Sequence, residues 1–159
     1  MLEVGAGAAA WSLALVARQP SCQVTAFDLP AVLDVTRRSV EDAGQLDRYR
    51  FLAGDAFQDE LCGPYDLALV ANVVHLFGEA RAVKLLSRVA GALRSGGRLG
   101  VIDVMPEPGR PSRRAALHDL SLLLRTRDGA LHPFSSYARW LRRAGLEPMH
   151  AVGLTRIGR

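Results

Sequence analysis

Two rhythms of apolar positions alternate along the chain. Short runs rich in branched and aromatic residues predict strands: Leu2 to Val4, Gln23 to Phe27 ending at Asp28, and "YRFLAGDAF" ending near Gly54-Asp55. "YDLALVANVVH", with a continuous apolar stretch Leu67 to Ala71 suited to a strand buried on both faces, is a fourth, and "RLGVIDVM" a fifth. Between them, apolar residues recur every three or four positions and predict helices. These are Ala8 to Ala17, Ala31 to Ala43 (Val32, Val35, Val40, with Gly44 as a stop) and Ala80 to Leu93 (Val83, Leu86, Val89, Ala90, Leu93) running into Arg94-Ser95-Gly96-Gly97. A proline-rich basic loop, "PEPGRPSRR", precedes two more helices, about Ala115 to Arg125 and Ser135 to Ala144 before Gly145, and a last strand is expected in "EPMHAVGL".

Strands alternating with helices predict an α/β fold, a doubly wound, Rossmann-like, mostly parallel sheet with helices on both faces. The sheet is expected to be short at its first and last strands, with Thr155 to Arg159 left for an abbreviated seventh. In such a sheet, ligands sit beyond the carboxyl ends of the strands. Glu3 to Gly7, Asp28-Leu29, Gly54 to Phe57, Asn72 to His75 and Asp103 fall there by topology alone.

Composition narrows the setting. With 159 residues, 49% of them hydrophobic, the chain has the size of one domain with a sizeable core. Its net charge of +4 comes almost wholly from arginine, Lys84 being the single lysine, and basicity this mild points only weakly to nucleic acid. Cys22 and Cys62 lie far apart without metal-ligand spacing, so no disulfide framework or zinc site is indicated and a reducing cytoplasm is the default. The apolar run Val4 to Ala17 has no positive region before it, carries Glu3 there instead, is broken by Gly5 and Gly7, and is too short to span a membrane.

"LEVGAGAAAW" is the first chemical signal: a strand end, a glycine turn and a helix start. Read as G-x-G-x-x-A through Ala10 it also fits the loose dinucleotide fingerprint, so the motif alone leaves two cofactors open. Glu3 tips the balance. A pyrophosphate on the helix N-terminus would meet a carboxylate two residues before the first glycine, whereas the ammonium and sulfonium of S-adenosylmethionine are attracted by it. Gly5 and Gly7 would let the backbone approach that cofactor. Asp28 can accept both ribose hydroxyls, as it could in a dinucleotide site, or could merely cap the following helix. Asp55 can accept from an adenine amino group with Ala56 and Phe57 beside the ring, although Leu29 and Phe57 also read as simple core.

"LEVGAG", "FDLPAVL", "GDAF", "YDLALVANVVH", "ALRSGGRLGVIDVM" and "LHDLSLLLRTRDG", in this order and over nearly the whole chain, resemble the catalytic domain of class I methyltransferases. The similarity is to the caffeate-type small-molecule O-methyltransferases, in particular their bacterial natural-product branch. It implies a domain over residues 1–159 that binds S-adenosylmethionine through Glu3, Gly5, Gly7, Asp28, Leu29, Gly54, Asp55, Ala56, Phe57 and Asn72. It also implies transfer of a methyl group to a hydroxyl of a small aromatic or natural-product acceptor. His75, in "ANVVHLF", falls where the family's histidine deprotonates the acceptor, a suitable task because a phenol titrates near 10 and needs a base nearer neutrality. Its structural alternative is a rim histidine in the turn before Gly78-Glu79. Of the two acids that orient the base in plant members, the first position falls on Asp103, shorter than the usual glutamate. The second falls near Leu131, which has no carboxylate.

Family members also carry an N-terminal helical domain that makes a homodimer and closes the substrate pocket, and this chain is expected to lack it. That raises a rival reading, a domain that binds cofactor but is impaired in catalysis. An RNA or DNA methyltransferase is a second rival. "ANVVH" lacks the Asn/Asp-Pro-Pro-aromatic motif of amino-directed DNA enzymes, and the arginine groups Arg110, Arg113, Arg114 and Arg139, Arg142, Arg143 are expected to be solvated faces. His118 and Leu122, one turn apart, could touch substrate but read first as structural, and His132 and His150 fall at no catalytic position of the family.

Overall fold

The computed structural model describes residues 1–106, 109 and 112–147. Five parallel strands form one sheet: β1 (Leu2–Val4), β2 (Val24–Asp28), β3 (Tyr49–Ala53), β4 (Tyr65–Ala71) and β5 (Leu93–Ile102), in the order β3-β2-β1-β4-β5. The helices are α1 (Ala10–Val16), α2 (Pro30–Asp42), α3 (Glu79–Gly91), α4 (Arg113–Arg125) and α5 (Phe134–Arg143). The expected α/β class and parallel sheet are present. The strand expected in "EPMHAVGL", apart from its first residue Glu147, the segment Thr155 to Arg159, His150 and part of the proline-rich loop with Arg110 lie outside the described residues.

Alternation along the strands separates two cores. Leu2, Val4, Phe27, Ala68 and Val70 pack with Leu85, Leu86 and Val89 of α3 and with Tyr137 and Trp140 of α5. Ala6 and Ala26 pack with Leu33 of α2 and with Tyr49 and Phe51 on the other side. β1 has three residues, all buried, and lies at the sheet's centre: Leu2 and Val4 pair with Thr25 and Phe27 of β2 and with Ala68 and Val70 of β4. The chain winds outward from β1 through β2 to β3, then crosses back to β4 and β5 on the opposite side. The carboxyl ends of β1 and β4 therefore border the point where strand order reverses, the place at which such sheets take ligands.

β5 departs from expectation. Arg94 to Gly97 read as a turn before a strand starting at Arg98, but Leu93 already pairs with Tyr65, and the ladder resumes at Leu67 opposite Arg98. The intervening residues bulge out, with Gly96 at φ +74°, a conformation that glycine adopts without steric cost. The strand also ends at Ile102, freeing Asp103 to turn toward the site.

Arg48 ties the other side together. Its guanidinium donates to the carbonyls of Val16, Gln19 and Cys22, at and beyond the C-terminal end of α1, where carbonyls lack helical partners. On α4, Leu122 is buried, yet Leu117, Leu120, Leu123 and Leu124 are 51–77% exposed. No helix among the described residues is long and apolar enough to cross a membrane.

Candidate active site

The glycine turn after β1 is held from both sides. Gly5 and Gly7 have φ of +71° and +53°, and Ala9 shares the left-handed region at +55°. A side chain at Gly5 would meet Val73 Cγ2 at 2.4 Å, whereas a Cβ at Gly7 would meet nothing within 4 Å. Gly5 is thus required by packing against the chain leaving β4, and Gly7 faces open space. The N–H of Gly7 donates to Asp28 Oδ2 (2.9 Å) and that of Leu29 to Asp28 Oδ1 (2.8 Å). Asp28 therefore braces the glycine turn and does not cap α2, whose N-cap, Leu29, makes no side-chain cap bond. Leu29 is 53% exposed, which removes the simple-core reading, and Asn72, exposed with φ +56°, stands on the opposite lip.

Glu3 is only 1% exposed, beneath this turn. It accepts a hydrogen bond from Ser12 Oγ of α1, and Ser12 accepts one from the Tyr49 hydroxyl (2.8 Å). Burial pushes the carboxyl up from 4.5 to about 7, partly offset by the Ser12 bond and reinforced by the negative charge of Asp28. Neither Ser12 nor Tyr49 was expected from the sequence. The only available signal was a single hydroxyl inside an apolar helical run.

Beyond β3, Asp55 accepts from the Phe57 N–H (2.8 Å) and the Gln58 amide (2.7 Å), and these bonds hold its carboxyl below the usual range. Gly54 is closely fitted: a Cβ there would come within 2.9 Å of Phe27 and Asp59. Ala56 is half-buried, and its carbonyl accepts from Arg88 Nε (2.7 Å). Phe57 meets Phe77 edge-on at 4.9 Å, with the Arg81 guanidinium over both rings. Phe57 is thus part of a small aromatic wall, only half-buried.

His75 lies in a 3-10 turn, Val74–Leu76, past the end of β4. It is 4% exposed, so it is a buried residue and not the rim histidine of the structural alternative. Its Nδ1 is bonded to Asp103 Oδ1, while its backbone N–H donates to Asp103 Oδ2 (3.1 Å). Asp103, its side chain fully buried, also accepts from the Tyr137 hydroxyl of α5 (2.8 Å). With Nδ1 engaged by the Asp103 carboxyl, the neutral ring is held in the tautomer that carries its hydrogen on Nδ1, which makes Nε2 the acceptor nitrogen of that tautomer. Leu131 offers only its backbone N–H, donated to Asp119 (2.8 Å). The His118 ring stands edge-on to His75 at 5.0 Å, and its buried Nε2 has no partner among the described residues. Arg139 and Arg143, exposed as expected, both pair with Glu79. Among the described residues, no cluster of three His, Cys, Asp or Glu is placed to hold a metal ion.

A family model described as an O-methyltransferase domain matches residues 1–147. Mouse acetylserotonin O-methyltransferase is 32% identical over 98% of this chain and 43% of its own length. The 3-hydroxy-5-methyl-1-naphthoate 3-O-methyltransferase of Streptomyces sahachiroi is 29% identical over 96% of this chain and 44% of its own. The crystal structure of human N-acetylserotonin methyltransferase in complex with SAM superposes with a TM-score of 0.75 at 29% identity, covering 91% of this chain and 41% of that one. The chain spans less than half the length of these relatives. The match over residues 1–147, on a sheet whose site-bearing strand ends are those described above, places the chain in the O-methyltransferase domain family.

Proposed function

We propose that this domain is part of an S-adenosylmethionine-dependent O-methyltransferase acting on the hydroxyl of a small aromatic or natural-product acceptor. The observation that carries this reading is His75, buried at the strand-order reversal, with its Nδ1 and its backbone N–H both held by Asp103. The residues present fit the cofactor. Gly7 leaves open space where a Cβ would stand, Leu29 and Asn72 offer exposed lips on either side, and Glu3 supplies a carboxyl beneath the turn for a cationic ligand. Each Asp28 oxygen keeps a second lone pair beyond its bond from Gly7 or Leu29, as ribose hydroxyls require. Asp55, Ala56 and Phe57 form the adenine end, and Gly54 lets the chain turn closely there.

The cofactor supplies an electrophilic methyl group on a sulfonium. This chain's part is to hold the acceptor oxygen in line and relieve it of its proton. His75 Nε2 would take the acceptor's proton, and the Asp103 carboxylate would stabilise the resulting imidazolium. The naphthoate and acetylserotonin enzymes among the relatives support an aromatic acceptor class. A cytoplasmic setting in secondary metabolism, and a homodimer made by a separate N-terminal helical domain, complete the proposal. The missing carboxylate at Leu131 favours one rival, a domain that binds cofactor but turns over poorly.

Calorimetric titration with S-adenosylhomocysteine tests the cofactor; a folded chain that does not bind it overturns the assignment. With a phenolic acceptor, His75→Ala is expected to lose turnover by at least about 100-fold, the scale of general-base catalysis, while keeping cofactor affinity. Unchanged turnover removes His75 from the mechanism, and binding without turnover in the unmodified protein selects the impaired-domain reading.

A further inference from the structure

We propose that Tyr137 is a positioning residue for the base, acting through a neutral hydrogen bond to the Asp103 carboxylate. This rests on the reading of His75 as the base. The Asp103 carboxylate receives three donors: His75 Nδ1 at Oδ1, and the His75 backbone N–H and Tyr137 hydroxyl at Oδ2. The two bonds from His75 come from one residue on one turn, and a carboxylate held from a single side can swing about its last torsion. Tyr137 arrives from α5, on a different element, and closes that freedom.

The phenol is itself fixed. Tyr137 is fully buried, its ring packs 5.4 Å from Trp140, and the His132 ring stands 6.3 Å away. Burial first, and the adjacent Asp103 charge second, hold its hydroxyl well above the ordinary tyrosine range, so it remains a donor under all working conditions. A second acid beside Asp103 would add a negative charge and a further proton acceptor. A tyrosine adds neither. Tyr137, through Asp103, sets where the ring points and which nitrogen carries its hydrogen. No signal of this was available in the sequence, because the contact joins residues on two elements far apart along the chain.

The test reads the ring directly and needs no methyl acceptor, so its failure is distinct from failure of the proposed reaction. Protein labelled with 15N-histidine is expected to show neutral His75 as a single Nδ1–H tautomer with a slowly exchanging ring proton. In folded Tyr137→Phe, the Nε2–H tautomer becomes visible and Nδ1–H exchange accelerates at least about tenfold. Where an acceptor is at hand, kcat falls while S-adenosylhomocysteine affinity is unchanged. Incorporation of 3-fluorotyrosine at 137 keeps the packing, strengthens the donor and is expected to slow the exchange instead. An unchanged tautomer and exchange rate in both variants overturns the proposal.

Discussion

Glu3 carries a carboxyl group shielded from solvent, and stability must reflect it. The unfolded group titrates near 4.5 and the folded one near 7, so between these values the folded state binds more protons and stability falls as pH rises. A shift of this size corresponds to about 3 kcal/mol lost by pH 8 relative to pH 4. Glu3→Gln keeps an oxygen to accept from Ser12 and has nothing to ionise. Urea unfolding at a series of pH values is expected to show this decline in the parent and its removal in the variant, and a decline of equal size in both would contradict the burial argument. A cationic ligand stabilises the ionised carboxyl, so the same substitution is expected to weaken S-adenosylhomocysteine binding. Glycine and carboxylate positions were legible in the sequence because their chemistry is local to a strand end. Ser12, Tyr49 and Tyr137 were not, because a hydroxyl's partner is decided by which elements the fold brings together.

Among the elements, α1 depends most on its neighbours. It has seven residues, begins at Ala9 without a side-chain cap, and is too short to persist alone. Its C-terminal end is met by the Arg48 guanidinium, a charge suited both to orphan carbonyls and to the negative end of the helix. Arg48→Met keeps the aliphatic stem and removes those bonds. The expected loss is about 2 kcal/mol of stability with accelerated amide exchange in α1, and exchange unchanged in α1 would assign the arginine to the surface. Most element positions were readable to within a few residues, since hydrophobic period and glycine stops act locally. β5 is the instructive exception: Ser95-Gly96-Gly97 has turn chemistry, but pairing of Leu93 with Tyr65 draws those residues into a bulge inside the strand. That pairing is a long-range event, and local pattern has no access to it.

At the scale of the molecule, the leucines of α4 stand out. Leu117, Leu120, Leu123 and Leu124 expose apolar surface on a helix that buries only Leu122 fully, an arrangement in which water is a poor solvent for one face. The domain is expected to bind the dye ANS and to scatter light at raised concentration. Leu123→Glu with Leu124→Glu is expected to reduce both without lowering the melting temperature, because neither side chain contributes to the core. An equal loss of melting temperature would show that these leucines pack more than their exposure indicates.

The three residues of β1 have a consequence for how the molecule comes to be folded. Leu2 is made before both of its neighbours and lies between Thr25 and Ala68, so the sheet's central strand has one partner once β2 exists and acquires the other only once β4 does. Until then one edge of β1, with the Glu3 carboxyl between Leu2 and Val4, waits unpaired, a stage open to chaperones and to aggregation. Emergence of β4, more than that of any earlier segment, is the event that commits the domain to its fold.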